Sequence, residues 1–314
     1  MTVAHGIGVG EHASSESPDG DGKTSAEGSS GRRARRITPY LLLIPGLGWL
    51  ALFFAVPIVT LISTSTQTRP PGAEIGVYEQ TFRFANYVDS LSEYATQFSR
   101  SFLYAFLATV LALAISYPLA YAIAFKAGRW RNLLLVLVVA PFFTSFLLRT
   151  VAWKQILADE AWVADGLRFL HVLGPNDPVI NTPFAVVVGI TYNFLPFMIL
   201  PIYASLERVD PRFMEAAGDL YASAVTTFRK VTLPLSMPGV VAGTLLTFIP
   251  AAGDYVNSAL LGNRNTSMVG NVIDSRFLRV VDYPTAAVLS VVLMASILVL
   301  VAVYIRRSGT DELV

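Results

Sequence analysis

The sequence predicts an all-α integral membrane protein with six transmembrane helices and both termini on the cytoplasmic side. Three observations predict it. Of 314 residues, 54% are hydrophobic and only 14% are charged, well below the ~25% charged residues of a typical soluble domain. The apolar residues gather into six runs, each near the roughly 20 helical residues that cross a hydrocarbon core about 30 Å thick. Basic residues collect at alternate ends of these runs. Short segments of alternating polarity, the mark of a membrane β-barrel, do not stand out.

Residues 1–36 are dominated by Gly, Ser, Asp, Glu and Ala, so they read as a disordered cytoplasmic tail with little to bury. Within it, Asp21-Gly22-Lys23-Thr24 ends like a phosphate-binding loop. The full pattern needs glycine where Ser17 stands, and a strand before it. A basic cluster then precedes the first apolar run. That run is long and lacks a small-residue cleavage site, which fits a retained helix better than a signal peptide. Residues 37–308 form the transmembrane domain, and 309–314 a short cytoplasmic tail. The chain has no cysteine, and His5, His12 and His171 are scattered, so neither a disulfide nor a metal centre is expected. A net charge of +1 with no basic domain gives no footprint for nucleic acid.

The expected spans are Tyr40–Leu61, Phe102–Phe125, Leu133–Trp153, Phe184–Leu206, Val240–Leu261 and Ala286–Ile305. Pro45, Pro57, Pro118, Pro141, Pro196, Pro201 and Pro250 fall inside them, which neighbouring membrane helices make tolerable. Trp49, Trp130 and Trp153 lie toward span ends, the usual interfacial places. Arg32, Arg33, Arg35 and Arg36, the Lys126–Arg131 turn, and the Arg306-Arg307 stop put the N-terminus and the even-numbered connections inside. The outer connections are then 62–101, with Pro70-Pro71; 154–183, with an interfacial helix near Glu160–Leu173 and a turn at Gly174–Pro178; and 262–283, with a mixed stretch at Met268–Leu278.

Residues 207–238 are long for an inner connection, and a structureless loop of that length is unusual. Asp210 is placed to cap a helix and Pro211 fits its first position. Phe213, Met214, Ala217 and Leu220 repeat at helical spacing. Ala216, Ala217 and Gly218 are small enough for another surface to approach. A second helix is expected from near Ser223, carrying Val225 and Phe228, with Pro234 ending it before the chain re-enters the membrane near Pro238. Such a helix–turn–helix suits a lever gripped from outside, or a surface hairpin that only closes a loop.

Glu215-Ala216-Ala217 followed by Val231-Thr232-Leu233-Pro234 resembles the cytoplasmic EAA loop of binding-protein-dependent ABC importer permeases of type I. The family form is EAA, three residues, glycine, nine residues and I-x-L-P. Here Tyr221 stands at the place of that glycine, and Gly218 does not replace it. A tyrosine there prefers right-handed geometry or bears strain, so a more open turn is one expectation and a place in the docking surface another. Asn193–Pro201, Gly253-Asp254-Tyr255, Leu260-Leu261-Gly262, Gly270–Ile273, Phe277 and Asp282-Tyr283-Pro284 are similar to blocks of the spermidine/putrescine branch, and the likeness spans about 38–307.

The resemblance implies a transport subunit, not an enzyme, in a bacterial cytoplasmic (inner) membrane. It implies two ATPase subunits that use ATP and Mg, a second permease, an extracytoplasmic solute-binding protein and surrounding lipid. No cofactor is expected on this chain. Glu215, Ala216, Ala217, Gly218, Tyr221, Leu233 and Pro234 would form the ATPase-coupling element. Glu215 would sit at the docking contact, with a solvated helix residue as the plain alternative.

Asp254 is the one acidic residue inside the expected spans. Intramembrane carboxylates face a bundle interior, a cavity or a partner charge. It fits a pathway for a cationic amine, with Tyr192 and Tyr255 adding cation–π contacts. It also fits a tie to Arg149, or another interface. Gly239 and Gly243 are spaced for close helix packing, within the subunit or across a permease pair. The solute expected from the resemblance is a polyamine such as spermidine or putrescine. Thiamine, ferric iron or a phosphonate are alternatives of the same construction. An ion-gradient-driven secondary transporter is the alternative of another class, and it leaves the helical loop unexplained.

Overall fold

The computed structural model describes residues 43–169, Gly174 and 177–308. The tails expected at 1–36 and 309–314 lie outside the described residues, as do Tyr40 and part of the 170–178 turn. Two compact units divide between Ile58 and Val59. In the first, residues 43–58 are helical with every side chain exposed, and Trp49 lies on Phe53 at 4.3 Å between ring centroids. They open helix α1, Leu43–Ser65.

The second unit is built of α2 Ala85–Phe125, α3 Arg131–Val139, α4 Phe146–Ile156, α5 Trp162–Phe169, α6 Pro183–Glu207, α7 Pro211–Asp219, α8 Ala224–Thr227, α9 Leu233–Ala252, α10 Val256–Leu261, α11 Val269–Asp274 and α12 Tyr283–Ser308. A short antiparallel ladder, β1 Gln67–Thr68 with β2 Glu79–Gln80, is the described strand pair. Among the described residues five helices are long and apolar enough to cross a membrane, or up to six if the bent pair Gly128–Phe143 and Phe146–Ile156 is one span.

The core is the contact of α2, α6 and α9. Ala105, Ala108, Ala112 and Ala120 of α2 are fully buried at helical spacing, and their small side chains let α6 come close. Ile190, Met198, Ile199, Ile202 and Leu206 fill the facing side of α6. On α9 the approach is closer still. A Cβ at Gly239 would lie 2.5 Å from the Pro201 carbonyl oxygen and 2.5 Å from Ser205 Cβ. One at Gly243 would lie 3.0 Å from both Met198 O and Sδ. Both glycines therefore seat α9 on α6 of the same subunit.

Three expected spans differ in the structure. The second begins at Ala85 instead of Phe102 and bends at Tyr94, where φ/ψ is −109/17. Its 41 residues reach roughly 60 Å at 1.5 Å per residue, so much of the connection expected at 62–101 is helix. The third is not one helix. Thr144 and Ser145 are extended, and the pieces on either side, Gly128–Phe143 and Phe146–Ile156, meet at 100°. Pro141 lies three residues before Thr144, in the tight turn Ala140–Phe143 that leads into the break.

The fifth expected span starts early and is broken late. It runs on from α8 through a π-helical turn, Phe228–Thr232, into α9, and stops at Gly253. Pro234 does not end a helix, contrary to expectation. The wider turn closes with the Leu233 N–H bonded to Phe228 O, directly before the proline. A π turn relieves the clash and lost donor that proline brings. Pro57 follows the π turn Ala51–Ala55 in the same relation, after the Val56 N–H to Ala51 O bond.

Candidate coupling loop and intramembrane polar network

The loop from Glu207 to Pro238 folds as its caps dictate. The Asp210 carboxylate accepts from the Arg212 N–H at 2.9 Å, and Pro211 opens α7. Ser223 Oγ accepts from the Thr226 N–H at 3.3 Å and opens α8. Along α7, Glu215, Ala216 and Gly218 are exposed and Ala217 is half-buried. A Cβ added at Gly218 would meet nothing within 4 Å.

The end of α7 is closed, not open. The Tyr221 N–H bonds Gly218 O at 2.9 Å, and the Ala222 N–H bonds Ala217 O at 3.0 Å. This pair of bonds is a Schellman cap, which requires a left-handed residue between helix and exit. Tyr221 supplies it, with φ at +57°. The tyrosine thus adopts the backbone that glycine takes freely, and its side chain is 98% exposed.

At its root the loop grips three helices. Phe228 packs edge-on against Tyr117 and Tyr121 of α2, at 5.5 and 6.4 Å between centroids. Tyr117 Oη shares a hydrogen bond of 2.7 Å with Ser236 Oγ, on the first turns of α9. At the other end, Arg131 at the start of α3 donates to the Glu207 carboxylate and the Tyr203 hydroxyl of α6. Its guanidinium also lies 5.1 Å from the Tyr203 ring centroid. Leu233 is half-buried and Pro234 exposed. The sequence reading missed Phe228's partners and the Arg131 clamp, because both cross more than seventy residues of chain.

Asp254 sits in the break between α9 and α10 and is 6% exposed. Its two oxygens accept from the Asn257 backbone N–H at 2.8 Å and from Asn257 Nδ2 at 2.7 Å. Asn257 Oδ1 accepts from Asn193 Nδ2 of α6 at 3.0 Å, and Asn193 Nδ2 also reaches Thr150 Oγ1 of α4 at 3.1 Å. The carboxylate therefore caps the broken helix and anchors a polar chain through three spans. The tie to Arg149 is not made. That guanidinium lies over Phe142 and Phe146, 5.2 and 5.7 Å from their centroids. Tyr192 does not join Asp254 either. It lies 5.1 Å from Trp153 and lines an apolar cleft of about 270 Å³ with Leu195, Pro196 and Pro141. Tyr255 is exposed, and its carbonyl accepts from Asn271 Nδ2 at 2.8 Å. Asn257 and Thr150 were not singled out from the sequence. The signal available was an amide or hydroxyl on each of three adjoining spans.

Residues 24–308 match the family described as binding-protein-dependent transport system inner membrane component. The chain belongs to this family. It is similar to the spermidine/putrescine transport system permease protein PotB of Salmonella typhimurium strain SL1344, 35% identical over 268 residues, 85% of this chain and 93% of the relative. PotB of Escherichia coli K12 is also 35% identical over 268 residues, covering 85% and 96%. Among solved structures, a bacterial ABC transporter involved in import of the acidic polysaccharide alginate superposes with a TM-score of 0.64 over 90% of this chain and 99% of its own. At 16% identity that likeness shows the fold alone. The protein is a multi-pass inner-membrane permease subunit of a binding-protein-dependent ABC importer, and the family sets aside the ion-gradient alternative.

On the far side of the permease from Phe228 along α2, Arg276 joins Glu93 at 3.1 Å, Asp282 at 3.3 Å and the Tyr94 hydroxyl. Tyr78 donates to the Val281 carbonyl at 2.7 Å, where Val281 holds a left-handed φ of +60°. Burial pushes the Tyr78 hydroxyl above the usual phenol range, and Asp282 adds to the rise. A cleft of about 550 Å³ opens here, lined by Arg69, Tyr78, Arg83, Asp89, Glu93 and Asp282 among others. Among the described residues, no group of three or more His, Cys, Asp or Glu is placed to hold a metal.

Proposed function

We propose that this permease imports polyamines such as spermidine or putrescine, with both termini and the 207–238 loop on the cytoplasmic side. The observation that carries the solute is the 35% identity to spermidine/putrescine permeases over 85% of the chain. The basic residues flanking the spans support the orientation. The subunit works with a second permease, two ATPase subunits that use ATP and Mg, and an extracytoplasmic binding protein.

In this reading α7 docks on the ATPase through Glu215, Ala216, Ala217, Gly218 and Tyr221, with Leu233 and Pro234 at the loop's return into α9. Closure of the ATPase pair on ATP draws the loop inward. Three rigid contacts carry that displacement: Phe228 to α2, Ser236 to Tyr117, and Arg131 to Glu207. The helices then reorient together and the pathway opens to the binding protein. Hydrolysis and product release reset it.

Asp254 supplies the negative charge beside the pathway, where anion import would favour Arg or Lys. Its oxygens are held by Asn257, so the carboxylate is fixed in place for an amine. The test is ATP hydrolysis by the complete complex, with binding protein loaded in turn with spermidine, putrescine, thiamine, ferric iron and a phosphonate. Stimulation by a polyamine alone supports the proposal; stimulation by one of the others moves the permease to that solute.

A further inference from the structure

We infer that Tyr221 is an anchor whose ring enters an apolar pocket on the ATPase subunit; this rests on the ATPase-docking reading of the loop. Two features of the isolated chain oppose each other's usual explanation. The backbone at Tyr221 is left-handed, a conformation L-residues with a Cβ adopt at a cost and glycine adopts freely. The ring gains nothing within the chain in exchange, being 98% exposed. A residue that only closed the turn would be better as glycine, or as asparagine, which also tolerates this geometry.

The left-handed backbone does have one consequence: it turns the side chain out from the cap while the Schellman bonds hold the base of the ring still. Leu220, 81% exposed, precedes it directly and extends an apolar tip. Arg212, Glu215 and Asp219 stand exposed on the same helix. Such a tip, apolar at its end, fits a pocket with an apolar floor. Rigid, centrally placed tyrosines are typical of residues that dominate an interface. The occupant is the ATPase because Tyr221 closes the cap of α7, the helix that carries Glu215-Ala216-Ala217, and both α7 and Tyr221 lie outside every candidate membrane span.

The experiment measures binding of the ATPase to the paired permeases in nanodiscs, for wild type, Tyr221→Phe, Tyr221→Gly and Tyr221→Asn. Glycine and asparagine ease the turn, so loss of folding does not confound them; thermal unfolding of each variant checks this. Tyr221→Phe is expected to bind within about threefold of wild type, and Tyr221→Gly and Tyr221→Asn at least about tenfold more weakly. Equal or tighter binding by Tyr221→Gly overturns the inference while leaving the docking reading intact. Wild-type permease that does not bind the ATPase at all overturns both.

Discussion

Phe228 meets Tyr117 edge-on, with ring centroids 5.5 Å apart and planes at 86°. One residue belongs to the polar loop and the other to a core helix more than a hundred positions earlier. Aromatic pairs in this geometry contribute about 0.5–1.5 kcal/mol beyond their buried area. The contact links the loop to α2 and, because Tyr117 is bonded in turn to Ser236, to α9 as well.

Phe228→Ala therefore has two expected effects. Stability falls by about 2 kcal/mol, below the 3–5 kcal/mol of a fully buried phenylalanine, since Phe228 is only half-buried. Uptake falls further than ATPase binding does, and Phe228→Tyr restores most of it. Parallel measurement of ATPase affinity and solute uptake in proteoliposomes separates the two. Equal losses in both would make Phe228 a packing residue only.

Glu215→Ala is expected to leave the thermal midpoint nearly unchanged, because Glu215 is exposed and alanine is a strong helix former. ATP hydrolysis should lose its dependence on loaded binding protein. Solute-stimulated hydrolysis at the wild-type level would remove Glu215 from the docking contact.

Two glycines predict opposite outcomes. Gly239→Ala places a methyl group 2.5 Å from the Pro201 carbonyl, so α6 and α9 must separate, at about 1–3 kcal/mol. Gly218→Ala meets nothing within 4 Å and lies inside α7, where alanine is favoured by up to ~1 kcal/mol. Thermal unfolding in detergent should show the first variant lowered and the second unchanged or raised.

Asp254→Asn puts an amide where Asn257 Nδ2 needs an acceptor. Rotating the Asn257 amide to compensate turns its donor toward Asn193 Nδ2, itself a donor. The defect propagates, so Asp254→Asn and Asn193→Ala are expected to be non-additive, with a coupling of about 0.5–3 kcal/mol. A double-mutant cycle by chemical denaturation reads this directly. Additive losses would show that the network is not one unit.

Much of this was legible in the sequence. Asp210, Pro211 and Ser223 announce local hydrogen bonds, and the structure makes them as the side chains dictate. The fourth and sixth spans, long and uniformly apolar, hold to within a few residues. Where the reading failed, the cause was backbone chemistry that depends on neighbours. The stretch that holds Pro141 bends by 100° at Thr144-Ser145, whereas Pro196 and Pro201 sit inside an unbroken α6, and hydropathy does not distinguish them. The geometry at Tyr221 was hidden because residue preference argued for the other hand. The closing bonds from Tyr221 and Ala222 overrule that preference. The partners of Asp254 were hidden because the break that places them is itself a departure from the helix expected through Val240–Leu261.

The most direct test of the account is uptake of labelled spermidine and putrescine by proteoliposomes containing the paired permeases, with ATPase and Mg-ATP inside and binding protein outside. The account predicts saturable polyamine uptake that requires ATP and is lost on Glu215→Ala with the complex still assembled. Absent polyamine uptake in a complex that hydrolyses ATP and accumulates another solute would contradict it.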